Sequence, residues 1–108
     1  MFIALEVSIE IVQLLRPVIA RLQKRDRKLA VQLSNSSSSA PLNLAEGSQR
    51  GGKDQLHHYR IAAGSAREAR ITVRVARCAG HLDGLDLARL DALMDRQGAL
   101  LYRLAPWR

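Results

Sequence analysis

Apolar residues recur at helical spacing through most of the chain, and no stretch alternates with the period of a strand. From about residue 3 to residue 24, Leu5, Ile9, Val12, Ile19 and Leu22 fall near one face, and Val7, Ile11, Leu14 and Val18 widen it. An apolar arc this wide predicts a first helix covered on two sides, as in an oligomer. Pro17 lies inside the pattern, removes one backbone donor and predicts a kink near Gln13. A second helix is predicted over 27–47, where Leu29, Leu33, Ser36, Ala40 and Leu44 keep a 4-3-4-4 spacing straight through a serine run that otherwise reads as a linker. Serines in a helix can bond the carbonyl one turn back. Pro41 should bend this helix by freeing the carbonyl of Ser37. Glycines between Gly47 and Gly52 break the period. A third helix covers 53–80, with Gly80 as its C-terminal cap. Asp83-Gly84 marks a turn, and Asp86 is the N-cap of a fourth helix over 86–104. There Leu87, Leu90, Met94, Gln97, Leu101 and Leu104 form a seam like that of a coiled coil. The pattern predicts an all-α fold in one domain, residues 1–108, followed by a tail in which Trp107 is either loose or held at an interface.

Charge adds a class of partner. The 108 residues carry 17 Lys+Arg against 10 Asp+Glu, a net charge of +7. That excess favours polyanions through long-range attraction and counterion release, without choosing among RNA, DNA and an anionic membrane. The apolar run from Met1 to Leu15 is interrupted by Glu6 and Glu10 and is shorter than the ~20 residues of a membrane span, so it reads as a buried helix of a soluble protein. Cys78 is the one cysteine, which excludes an intrachain disulfide and fits a cytoplasmic location.

Candidate chemistry is sparse. The segment Gly47-Ser48-Gln49-Arg50-Gly51-Gly52-Lys53-Asp54 meets the Gly-x4-Gly-Lys spacing of a phosphate-binding loop. Asp54 stands where Ser or Thr should hold magnesium, and no strand precedes it, so the glycines read as a tight turn. His57 and His58 point about 100° apart on a helix and cannot grip one metal together. Cys78 and His81 alone make a weak metal pair. No catalytic residue, cofactor or metal is expected, and the chain is not read as an enzyme.

The sharpest pattern is on the third helix. Arg60, Arg67 and Arg74 are seven apart, and Arg70 and Arg77 follow the last two by three. These five lie within about 100° of arc and about 25 Å of length. Like charges so placed repel, so something must compensate: carboxylates of a neighbouring helix, carboxylates of another subunit, or phosphates, which suit the planar fork of arginine. The basic joint Lys24, Arg25, Arg27 and Lys28 and the turn residues Arg50 and Lys53 extend the candidate nucleic-acid surface. Opposite the stripe, Ser65 and Glu68 lie among core positions. A buried carboxylate needs donors, so a buried polar network is expected, linking them to Gln32, Ser36, Ser39 and Asn43 on the second helix and fixing helix register.

Two blocks, Asn43-Leu44-Ala45-Glu46-Gly47 and Ile61-Ala62-Ala63-Gly64-Ser65-Ala66-Arg67-Glu68, joined by the polar turn, carry a resemblance. With Leu29, Gln32, Leu33, Ser39, Pro41, Arg50, Asp54, Ala76 and Gly80, they resemble the four helix bundle protein family, first noticed as proteins encoded by intervening sequences within bacterial 23S rRNA genes. The match covers about Leu29 to Leu82 and, more loosely, the first and last helices. The resemblance implies an antiparallel up-and-down four-helix bundle assembling into a homopentameric ring. Relatives among the accessory variability proteins of diversity-generating retroelements are similar pentamers whose basic surface binds nucleic acid and a reverse transcriptase. It therefore implies RNA or DNA binding without catalysis. The alternative is a protein–protein adaptor or structural ring whose basic face meets an acidic partner. The chain departs from the family pattern at Asn35-Ser36-Ser37, Ala79 and His81, and Asn35 removes one basic contact that the resemblance implies. With four aromatic residues and no base-reading motif, binding is expected to be directed mainly at the backbone.

Overall fold

The structure, a computed structural model, describes residues 1–106, so the expectation for Trp107 lies outside the described residues. Five helices and no strands occur among them: α1 (Ile3–Leu14), α2 (Arg16–Arg25), α3 (Arg27–Ser48), α4 (Gly52–Cys78) and α5 (Ala88–Leu104). The first expected helix is therefore two. Pro17 cannot donate to Gln13, and the helix breaks at Leu15 rather than bending near Gln13. Leu15 itself stays helical in φ and ψ and keeps its bond to the Ile11 carbonyl, and the Ile19 amide bonds the Leu15 carbonyl at 2.8 Å. Turning the corner costs few hydrogen bonds.

The serine-rich segment is helical throughout, and Pro41 sits buried inside α3 without ending it. Ser36 donates to the Gln32 carbonyl at 2.9 Å, and Ser38 to that of Ser34 at 2.9 Å. This back-bonding satisfies the hydroxyls locally, so they remain small packing groups. Asp26 caps α3 by accepting from the Leu29 amide at 3.1 Å. At the same end of the body α4 stops in a Schellman arrangement. Gly80 takes φ 79°, its amide bonds the Arg77 carbonyl, and the His81 amide bonds that of Ala76, both at 3.0 Å. Helix α5 starts later than expected. Asp86 lies one residue before the N-cap position, yet its carboxylate accepts from the Ala88 amide at 3.1 Å, so it performs the capping role from there.

Helices α3 and α4, joined by a three-residue turn, form the most extensive pair; α3 also packs on α1 and α2, and α5 closes against α4 and α1. The body measures 43 × 25 × 24 Å. Its core has two parts. One gathers Ile11, Leu15, Val18, Leu22, Leu33 and Met94; the other Leu44, Tyr59, Ala62, Ala66 and Leu101. Between them along the helices come the buried polar residues Ser8, Ser36, Ser37 and Gln97. The core face of α1 differs from the expected one. Ala4, Val7, Ser8 and Ile11 are buried, whereas Ile9 is 48% exposed. The wide apolar arc hid which direction points inward. Ser8 is acceptable there because it donates to the Ala4 carbonyl at 2.7 Å and accepts from Gln97 Nε2 at 2.9 Å.

Gly47 shows where α3 and α4 approach most tightly. A Cβ there would stand 2.7 Å from Tyr59 Cε1 and 3.1 Å from His58 Cβ. The Tyr59 ring is buried and cannot swing away. Gly47→Ala should therefore lower stability, because overpacking costs about 1–3 kcal/mol and outweighs the up to ~1 kcal/mol gained in helix propensity. Thermal melts would show a drop of several degrees; a melting temperature at or above wild type would contradict this reading of the contact.

Candidate nucleic-acid interface

The expected arginine stripe divides in two. All five arginines are exposed. Arg70 and Arg77, displaced toward α5, pair with its carboxylates: Arg70 with Asp95, and Arg77 with Asp91 at 2.9 Å. The neighbouring helix thus supplies the compensation that the like charges need. Exposed pairs of this kind contribute ~0–1 kcal/mol each, so their main effect is to occupy two guanidiniums. The remaining ridge is Arg60, Arg67 and Arg74, one arginine per ~10.5 Å of helix at a rise of 1.5 Å per residue. Among the described residues Arg60 and Arg74 enter no ion pair. Arg67 lines a groove between α4 and α5.

The other candidate cations lie at the two ends of the body, since the 27 residues of α4 span ~40 Å. Lys53 and Arg50 are at the α3–α4 turn. Arg50 is already engaged, with Glu46 at 2.5 Å and Asp54 at 2.9 Å. Its pKa is raised above the ordinary arginine value, first by the hydrogen bond to Glu46 and then by that to Asp54. Lys24, Arg25, Arg27 and Lys28 are exposed at the opposite end, near the C-terminus of α4. There Arg25 donates to the Gly80 carbonyl at 3.4 Å, and Arg21 donates to the Asp83 carbonyl at 3.0 Å. Two cations thus meet carbonyls at and just beyond a helix C-terminus, where the macrodipole favours them. The sequence pattern did not single out Arg21; its four-residue spacing from Arg25 was the available signal.

The polar seam between α3 and α4 is real but is not the buried network expected. Glu68 is exposed and accepts from Gln32 Nε2 at 3.2 Å on the surface. Helix α4 turns its buried face toward Ala62, Ala69 and Ala76, which rotates Glu68 out past the seam. Ser36 satisfies itself on its own helix and does not cross. The half-buried part runs through Ser65, Ser39 and Asn43 to His58. The two hydroxyls are 2.7 Å apart, Asn43 Nδ2 donates to Ser39, and His58 Nδ1 lies 3.1 Å from Asn43 Oδ1. Because Asn43 uses its amino group on the Ser39 carbonyl, His58 must donate through Nδ1. The sequence pattern did not place His58 in the seam, although it lies seven residues before Ser65 on the same face of α4. The buried polar pair is Ser8 and Gln97, which joins α1 to α5. Its signal was a glutamine inside an otherwise apolar seam.

These features define a class: a basic, wholly helical protein among its described residues, with an arginine ridge along its longest helix and no described helix long and apolar enough to cross a membrane. The chain belongs to the 23S rRNA-intervening sequence protein family, which matches it over residues 3–103. No curated protein and no solved structure matches it.

Proposed function

We propose that this protein is a non-catalytic, cytoplasmic nucleic-acid-binding protein that acts as a homo-oligomer and grips the phosphate backbone of RNA or DNA through α4. The observation that carries this reading is the ridge of Arg60, Arg67 and Arg74, regularly spaced and exposed along α4, beside Arg70 and Arg77, which carboxylates of α5 neutralise. Lys24, Arg27 and Lys28 prolong the positive surface at one end. Taken as one broken rod, α1 and α2 make the protomer a four-helix bundle. Self-association, in this reading into a pentameric ring, is supported by large apolar side chains on the outer faces of α3 and α4: Leu42 is 67% exposed, Val31 54% and Ile71 51%. Burying them against another protomer removes apolar surface from water.

The test is a binding titration against structured RNA and duplex DNA across a range of salt. Backbone-directed binding by several arginines gives log K falling by about 0.7–0.9 per neutralised phosphate as log salt rises. A salt-independent affinity, or none at low salt, would remove the proposal. A protein partner for the ridge would then be the next object of search.

A further inference from the structure

We infer that the groove between α4 and α5 is a pocket for one unstacked nucleobase, so that the preferred nucleic acid has unpaired nucleotides; this rests on the nucleic-acid reading of the ridge above. The groove has a volume of about 190 Å³. That is below the ~300 Å³ of a drug-sized site and suits a single planar ring system. Its floor is apolar, with Ala66, Met94 and Leu101, and Gly98 and Ala63 keep it open. Arg67 of the ridge lines the side toward the phosphate track, beside Arg70, whose guanidinium Asp95 already holds. Tyr102, 53% exposed, lines the α5 side and offers an aromatic face for stacking.

One polar group is held ready inside. Gln97 is 4% exposed and lines the groove. Its orientation is set by Ser8, whose single proton goes to the Ala4 carbonyl, so Ser8 can only accept from Gln97 Nε2. Gln97 Oε1 is left as the acceptor. It makes no hydrogen bond among the described residues, yet no buried side-chain nitrogen or oxygen there lacks a partner. It therefore keeps an opening to solvent, and the groove is the opening that Gln97 lines. An acceptor at the floor, an aromatic face at the rim and the Arg67 guanidinium beside them match the N–H edge of a base, its π-face and its phosphate. A duplex hides the first two and offers only the third.

The experiment compares a short single-stranded RNA with the same strand annealed to its complement, at matched salt, using the full chain. The variants are Tyr102→Leu, which keeps bulk and removes stacking, and Tyr102→Phe, which keeps the ring. Wild type should bind the single strand more tightly than the duplex. Tyr102→Leu should lose roughly 5- to 150-fold for the single strand, the range expected for one stacked base, with duplex affinity unchanged and Tyr102→Phe close to wild type. An unchanged single-strand affinity in Tyr102→Leu, or equal loss for both probes, overturns the base pocket while leaving backbone binding in place. Absence of binding to either probe by wild type at low salt overturns the nucleic-acid reading itself, and this inference with it.

Discussion

Replacing Arg67 and Arg74 together by glutamate should weaken binding to structured RNA or duplex DNA by about 60-fold or more at 0.1 M salt. Each phosphate contact changes log K by ~0.9 per tenfold change in salt, so relative to 1 M salt two contacts are worth roughly 60-fold at 0.1 M. Reversed charges add repulsion to that loss. The salt slope should also fall by about 2, one unit for each lost contact. Both residues are exposed, so the fold and the oligomer size should not change, and light scattering beside the titration checks this. The matched control is Arg70→Glu/Arg77→Glu. These two guanidiniums are already held by Asp95 and Asp91, and their replacement should cost markedly less. Equal losses in the two double variants would refute the division of the stripe into a binding ridge and a neutralised flank.

Leu33→Ala should strongly destabilise the protomer. Leu33 is fully buried on α3 within the core that α1, α2 and α4 share. Removing a buried leucine side chain costs about 2–5 kcal/mol through lost transfer energy and the cavity left behind. Against a total stability of ~5–15 kcal/mol this is a large fraction, and the melting temperature should fall by about 10 °C or more. Leu42, nine residues further along α3, is 67% exposed. Leu42→Ala should leave the stability of the protomer within ~0.5 kcal/mol while altering the oligomer size if that face is an interface. Denaturant melts at fixed protein concentration, read beside sedimentation, separate the two effects. Equal destabilisation by both substitutions would mean that the inner and outer faces of α3 are wrongly assigned.

That assignment was legible in the sequence for α3. Its 4-3-4-4 pattern runs through the serines because helical spacing outweighs the weak local preference of serine for turns. Leu33, Ser36, Ala40 and Leu44 are all buried. The Asn43 to Gly47 block was also legible as a unit, but not its cause, since the need for glycine at 47 comes from a tyrosine ring twelve residues away. On α1 the signal failed. Apolar residues cover so much of the helix that several faces satisfy the period, and contact with Gln97 on α5 decides that Ser8 is inside and Ile9 outside. Glu68 failed for a related reason. A few tens of degrees of helix rotation separate a core position from a surface one, and periodicity does not resolve that angle.

The candidate site divides in the same way. The seven-residue spacing of Arg60, Arg67 and Arg74 and the excess of positive charge are properties of the chain alone, because a helix of known pitch converts spacing directly into a face. Approximate helix ends and caps come from the same local source, each depending on residues within a turn or two, although the break at Leu15 makes two helices of the first one expected. Only the tertiary structure decided which arginines are already neutralised, because Asp91 and Asp95 reach Arg77 and Arg70 from a helix whose placement no local rule contains. It also decided that Glu68 is on the surface, that Ser8 and Gln97 form the buried pair, and that α4 and α5 leave a groove beside the ridge. Side-chain pairing across helices depends on their relative rotation and height, and these are set by how the whole core packs.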